Sequence, residues 1–177
     1  GTPPGKDKDE EGGTASGVLG DYPVTGTKYA IVIGICDYPD GEKDYDLCKS
    51  DGDSLHMYKA LTTLYGYDPA NVRLFKDMGN TTYFEENPDD EIPSITAEVP
   101  TRENILNAIK TINATSGDEV VFFFSGHGAS SDKDIDNDGE IIDEAIVVHD
   151  DGIKDENEVE DGNSQLDFIW DGELRSW

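Results

Sequence analysis

The sequence predicts an α/β fold: a mostly parallel β-sheet sandwiched by α-helices in three layers. Two observations carry that prediction. Short apolar runs rich in β-branched and aromatic residues alternate with longer segments whose apolar residues recur at helical spacing. The short runs also lack polar alternation, as expected of strands covered on both faces. Strand–helix alternation of this kind builds parallel sheets joined by crossover helices.

In chain order, the first strand is Tyr29-Ala-Ile-Val-Ile-Gly-Ile35, too short for a buried helix. An acidic loop from Cys36 to Gly52 follows. A helix is predicted from Asp53, with Leu55, Met57, Tyr58, Leu61, Leu64 and Tyr65 on its apolar face and Gly66 as its stop. Val72 to Phe75 reads as the second strand, and residues 77–100 form a long excursion with little period. Thr101 caps the next helix through Thr101-Arg-Glu-Asn104, close to a capping box, and Ile105, Leu106, Ile109 and Ile112 form its apolar stripe. Val120-Val-Phe-Phe-Phe124 is wholly apolar and predicts the central strand. Ala145-Ile-Val-Val148 is a further strand, and Phe168 to Trp177 opens another helix.

Composition bounds the function. The chain has 177 residues, with 40 Asp+Glu against 13 Lys+Arg and a formal net charge of −27. Such a surface repels phosphate backbones and anionic lipid heads, which argues against nucleic-acid and membrane-surface partners. No apolar stretch approaches the roughly 18 residues of a membrane span. Two cysteines exclude a disulfide-rich scaffold and a cysteine-rich zinc site. Residues 1–27 are dominated by Gly, Pro, Thr and charge and read as a linker or tail. Residues 28–177 are then one domain, long enough for a single core.

Catalysis in a parallel sheet gathers beyond the carboxyl ends of the strands, and Ser125-Gly126-His127-Gly128 lies there. The glycines let the backbone turn tightly, and His127 supplies an imidazole able to accept and donate a proton. The same histidine could instead bond a neighbouring loop. His56 and His149 suit surface or packing roles better, and Cys36 and Cys48 read as buried or loop thiols.

In order along the chain stand Lys28-Tyr-Ala-Ile-Val-Ile-Gly34, Asp53-Ser-Leu-His-Met57, Leu64-Tyr-Gly-Tyr67, Pro100-Thr-Arg-Glu-Asn-Ile105, Gly117-Asp-Glu-Val120, Phe124-Ser-Gly-His-Gly128, Asp143-Glu144 and Ile169-Trp-Asp-Gly-Glu-Leu174. Their combination resembles the caspase-like cysteine peptidases, among them the metacaspases and prokaryotic caspase homologues. The resemblance implies a Cys–His dyad acting on protein or peptide substrates. His127 would serve as its acid/base and the Gly128 N–H as an oxyanion donor. The family nucleophile lies in a run absent from these residues. A downstream segment, or a second polypeptide from the same precursor, is expected to carry it, leaving this chain alone inactive. Asp53 and Ser125 match the pocket that selects Arg or Lys in metacaspases, and Ser50 stands where a cysteine often precedes that Asp. Asp53 could also act as a helix N-cap.

Residues 131–173 are crowded with carboxylates. Within them Asp132, Asp134, Asp136 and Asp138 alternate before Gly139, with Glu140 following, a spacing suited to the oxygen ligands of Ca²⁺. A standard EF-hand would close at Ala145, so Asp143 and Glu144 would have to close this one differently. By resemblance, Asp143 and Asp171 match the positions that bind activating calcium in metacaspases. A solvated acidic loop is the alternative, and no organic cofactor is expected. The expected function is a Ca²⁺-activated endopeptidase cleaving after Arg or Lys. Its rivals are a non-catalytic calcium-binding scaffold and an Asp-specific peptidase. Both an exported protein and a salt-adapted cytoplasm fit the composition.

Overall fold

A computed structural model describes residues 24–38, 47, 49–76, 97–135, 139, 142–149 and 166–176. Of the tail read at residues 1–27, residues 1–23 lie outside them, as does nearly all of the excursion at 77–100.

Strand β1 (Lys28–Gly34) pairs in parallel with β2 (Val72–Lys76) on one side and β3 (Glu119–Ser125) on the other. The sheet order is therefore β2-β1-β3. Helix α1 (Ser50–Thr63) connects β1 to β2, and α2 (Arg102–Thr111) precedes β3. The first connection steps away from β1 and the second returns across it, so crossovers of one hand leave their helices on opposite faces.

The two-residue period of β1 sorts the core accordingly. Ala30 and Val32 pack with Leu55, Tyr58 and Leu61 of α1. Ile31 and Ile33 pack with Ile105, Leu106 and Ala108 of α2. Every residue of β1 from Ala30 to Gly34 is buried, as a strand sandwiched by helices must be.

A second, antiparallel sheet holds β4 (Gly128–Ser131), β5 (Asp143–His149) and β6 (Leu166–Trp170), in the order β4-β5-β6. It docks beside α2, where His149 N–H donates to Pro100 O at 3.1 Å. Val147, Val148 and Ile169 join the α2-side core. Arg102 fastens the junction: its Nε donates to Phe168 O at 3.1 Å, and its guanidinium pairs with Glu173.

Three expectations need correction. Among the described residues β1, not the Val120–Phe124 run, is the central strand; Val120 and Phe122 are 48% and 39% exposed along one face of β3. An unbroken apolar run shows that both faces want cover, but not which strand lies in the middle. Ala145–Val148 belongs to the antiparallel sheet rather than the parallel one. Residues 166–170 are strand, and helix α3 (Asp171–Arg175) starts only afterwards. Pairing with β5 supplies the backbone bonds there, and the Trp170 N–H is capped by Glu173 Oε2 at 3.0 Å.

The cap at Thr101 holds as expected, with Thr101 Oγ1 accepting the Asn104 N–H at 3.3 Å. Helix α1 begins three residues earlier than expected. Its first turn packs directly on Gly34: a Cβ there would run into the Ser50 carbonyl oxygen and lie 2.6 Å from Ser54 Oγ.

Candidate active site

The sheet reverses its winding direction at β1, so the carboxyl ends of β1 and β3 flank the crevice where α/β sheets bind ligands. Gly34 and Ser125 are register partners, and Ile35 N–H donates to Ser125 O at 2.9 Å. The two strand ends therefore leave the sheet together. Residues 35–38 continue from one and Ser125–Gly128 from the other.

His127 is half-buried in the turn between β3 and β4. Its carbonyl accepts the Val147 N–H at 2.9 Å, and its own N–H donates to the Tyr38 hydroxyl at 2.7 Å. The Tyr38 ring flanks the imidazole at 4.7 Å between centroids, tilted by 59°. Gly128 is exposed and faces Ile146 in the β4–β5 register. The bond between Val147 and His127 makes the neighbouring pair a hydrogen-bonded one. Antiparallel alternation then turns the Gly128 N–H away from β5, toward the open side of the sheet.

Asp53 is exposed on the first turn of α1, and Ser125 Oγ donates to its Oδ2 at 2.9 Å. No lysine or arginine among the described residues forms an ion pair with it. The N-cap alternative for Asp53 fails, because Lys49 occupies the N-cap and no side chain caps that end. Asp53, Ser125, His127 and Gly128 are thus gathered at one sheet edge. Ser50 is not at the surface with them: it is buried, and its carbonyl packs over Gly34.

The candidate calcium ligands are spread over different settings. Asp132 and Asp134 are exposed after β4, and Asp134 Oδ2 accepts the Gly139 N–H at 3.1 Å. Asp143 is buried, with a carboxylate oxygen accepting the Ile135 N–H. Asp171 pairs with Arg175 at 3.0 Å. Asp136, Asp138 and Glu140 lie outside the described residues. Among the described residues no group of three or more His, Cys, Asp or Glu side chains could hold a metal. These residues alone do not make a calcium cradle, and no chemical step below is routed through the ion.

The remaining candidates have plain roles. Cys36 is wholly buried, so its sulfur is out of reach of a peptide carbonyl; Cys48 lies outside the described residues. His56 is exposed on α1. His149 Nε2 lies 2.9 Å from Asp37 O and ties β5 to the segment after β1. Sequence reasoning missed Tyr38, whose hydroxyl contacts the His127 backbone across 89 positions of chain. The signal open to it was a lone aromatic just past the end of a buried strand.

Comparison with known proteins bears on the family. The family described as "Metacaspase, peptidase C14 domain" matches residues 28–166. Metacaspase-1 of Plasmodium falciparum is 38% identical over 120 residues, covering 63% of this chain and 16% of that protein. Metacaspase-4 of Arabidopsis thaliana is 30% identical over 124 residues, covering 68% of this chain and 25% of that protein. Metacaspase-1 of Yarrowia lipolytica is 30% identical over 116 residues, covering 64% and 21% respectively. The chain thus spans a quarter or less of the length of these relatives. A parallel sheet with helices on both faces, a histidine in the turn after its third strand and a family match over most of its length lead to one conclusion: this chain belongs to the metacaspase family of caspase-like peptidases.

Proposed function

We propose that this chain is the histidine-bearing part of a cysteine endopeptidase that cleaves after Arg or Lys. The observation that carries the reading is the bond from Ser125 to Asp53, which sets an exposed carboxylate beside the turn holding His127. Such an acidic wall suits a cationic side chain in the bound peptide and disfavours an acidic one. His127 would take the proton of the attacking thiol and return it to the departing amine. The Gly128 N–H, turned away from β5, would donate to the oxyanion.

The nucleophile belongs, on this reading, to a further segment whose chain also covers the exposed face of β3. Support comes from the exposed Val120 and Phe122 and from an adjoining apolar cavity of about 430 Å³ lined by Ile31, Ile109, Ile112 and Leu174. Exposed apolar surface on a strand of this kind normally has a partner. Calcium binding by the acidic run rests on its sequence spacing alone. Among the described residues no helix is long and apolar enough to cross a membrane.

The test is cleavage of matched peptides ending in Arg, Lys or Asp by this chain assembled with its cysteine-bearing segment. Arg and Lys substrates should be cut, His127→Ala should abolish cutting, and Asp53→Asn should remove the cationic preference. A preference for Asp would sink the specificity. An inactive assembly containing the cysteine would favour a non-catalytic scaffold. A melting scan with Ca²⁺ and with chelator judges the metal: a higher Tm with Ca²⁺ supports it, and superimposed curves overturn it.

A further inference from the structure

His127 and Val147 occupy the next position of the β4–β5 register, beyond the pair Gly128 and Ile146. A regular antiparallel ladder would exchange two backbone bonds across such a pair. One is present directly, from Val147 N–H to His127 O at 2.9 Å. The return path runs through a side chain: His127 N–H donates to the Tyr38 hydroxyl at 2.7 Å, and that hydroxyl reaches Val147 O at 3.4 Å. Tyr38 is 3% exposed and hangs from the segment after β1, so its hydroxyl also links the two sheets at the histidine. Gly126 makes the approach possible, since a Cβ there would lie 2.5 Å from the Tyr38 oxygen and 2.7 Å from Phe124 Cζ.

We propose that Tyr38 is a positioning residue for His127, its hydroxyl acting as a spacer in the ladder and its ring as one wall for the imidazole. The proposal rests on the peptidase reading for its catalytic consequence but not for its geometry. Without the hydroxyl, the His127 N–H either loses its partner or closes on Val147, and each outcome moves the ring. Such displacements cost up to about 100-fold in rate when a catalytic group is misplaced by about 1 Å.

The experiment compares Tyr38→Phe and Gly126→Ala with wild type. In the chain itself, the His127 amide should exchange about tenfold faster in Tyr38→Phe. The His127 ring signals should shift while those of His56 stay in place. In the assembled enzyme, kcat should fall about 10- to 100-fold with KM within about twofold. Gly126→Ala keeps the tyrosine but displaces its hydroxyl, so it should reproduce both effects and carries the test if Tyr38→Phe does not fold. Unchanged exchange and ring signals in both variants overturn the spacer. Faster exchange with an unchanged kcat overturns the positioning role. If wild type cleaves nothing, the peptidase reading fails and the positioning role with it, while exchange and ring signals still decide the spacer.

Discussion

Gly34→Ala links packing to the site most directly. Gly34 ends β1, opposite Ser125 in the register and beneath the first turn of α1. The added Cβ would meet the Ser50 carbonyl oxygen and lie 2.6 and 2.7 Å from Ser54 Oγ and Cβ. Ordinary contacts of carbon lie at about 3.5–4.0 Å, so α1 must withdraw by about 1 Å. One obstacle is backbone and Ser54 is fully buried, so no flexible side-chain end can absorb the overlap. Overpacking of this kind costs about 1–3 kcal/mol. At about 2–4 °C per kcal/mol for a chain of this size, the melting temperature should fall by about 2–12 °C. Asp53 rides on the same turn, so its 2.9 Å bond to Ser125 would open beyond hydrogen-bonding range. Cleavage after Arg should then fall further than stability alone explains, by about 100-fold, with little change in secondary structure. Differential scanning calorimetry and a peptide assay on the assembled enzyme read the two effects. A variant melting within about 1 °C of wild type would refute the packing argument. Lower stability with unchanged Arg selectivity would refute the link to Asp53.

Other expectations are independent of that helix. Arg102→Ala strips the partner from Glu173 and the half-buried junction at Phe168, and should cost about 3 kcal/mol; the melting temperature should drop by about 6–12 °C. Asp118 accepts N–H groups from Thr115 and Thr27, which hold its carboxyl below the ordinary 3.8. A depressed carboxyl adds stability above its unfolded pKa and loses it as pH falls through the folded value. Acid should therefore release Thr27, and Asp118→Asn should remove that pH dependence of its amide exchange. In a Cys48→Ser background, Cys36 should resist alkylation until the chain unfolds, because it is wholly buried; rapid native labelling would contradict its burial.

Much of the fold is legible because it depends on local chemistry. The β1 run, the Thr101 cap and the stripe of α2 depend on residue type and spacing within a few positions. His127 draws notice by its place just past a predicted strand, whereas Asp53 stands out only through the family resemblance. Misreadings arose where a distant partner decides. Residues 166–170 form a strand because β5 offers them a ladder, although nothing within the segment forbids a helix. The apolar runs of β1 and β3 look alike, and only the pairing order separates the middle strand from its neighbour. The local signal at Tyr38, an aromatic just past a buried strand, does not name its partner, since it meets His127 only when both sheets are in place.

By itself, then, the sequence determined the class of fold, the histidine motif and the acidic character, all set by composition and short-range spacing. Tertiary structure alone decided that Asp53 and Ser125 share a hydrogen bond, that Cys36 is sealed in the core, and that a tyrosine hydroxyl completes the ladder at His127. Those facts rest on contacts between segments far apart in the chain, and no window of neighbouring residues contains them.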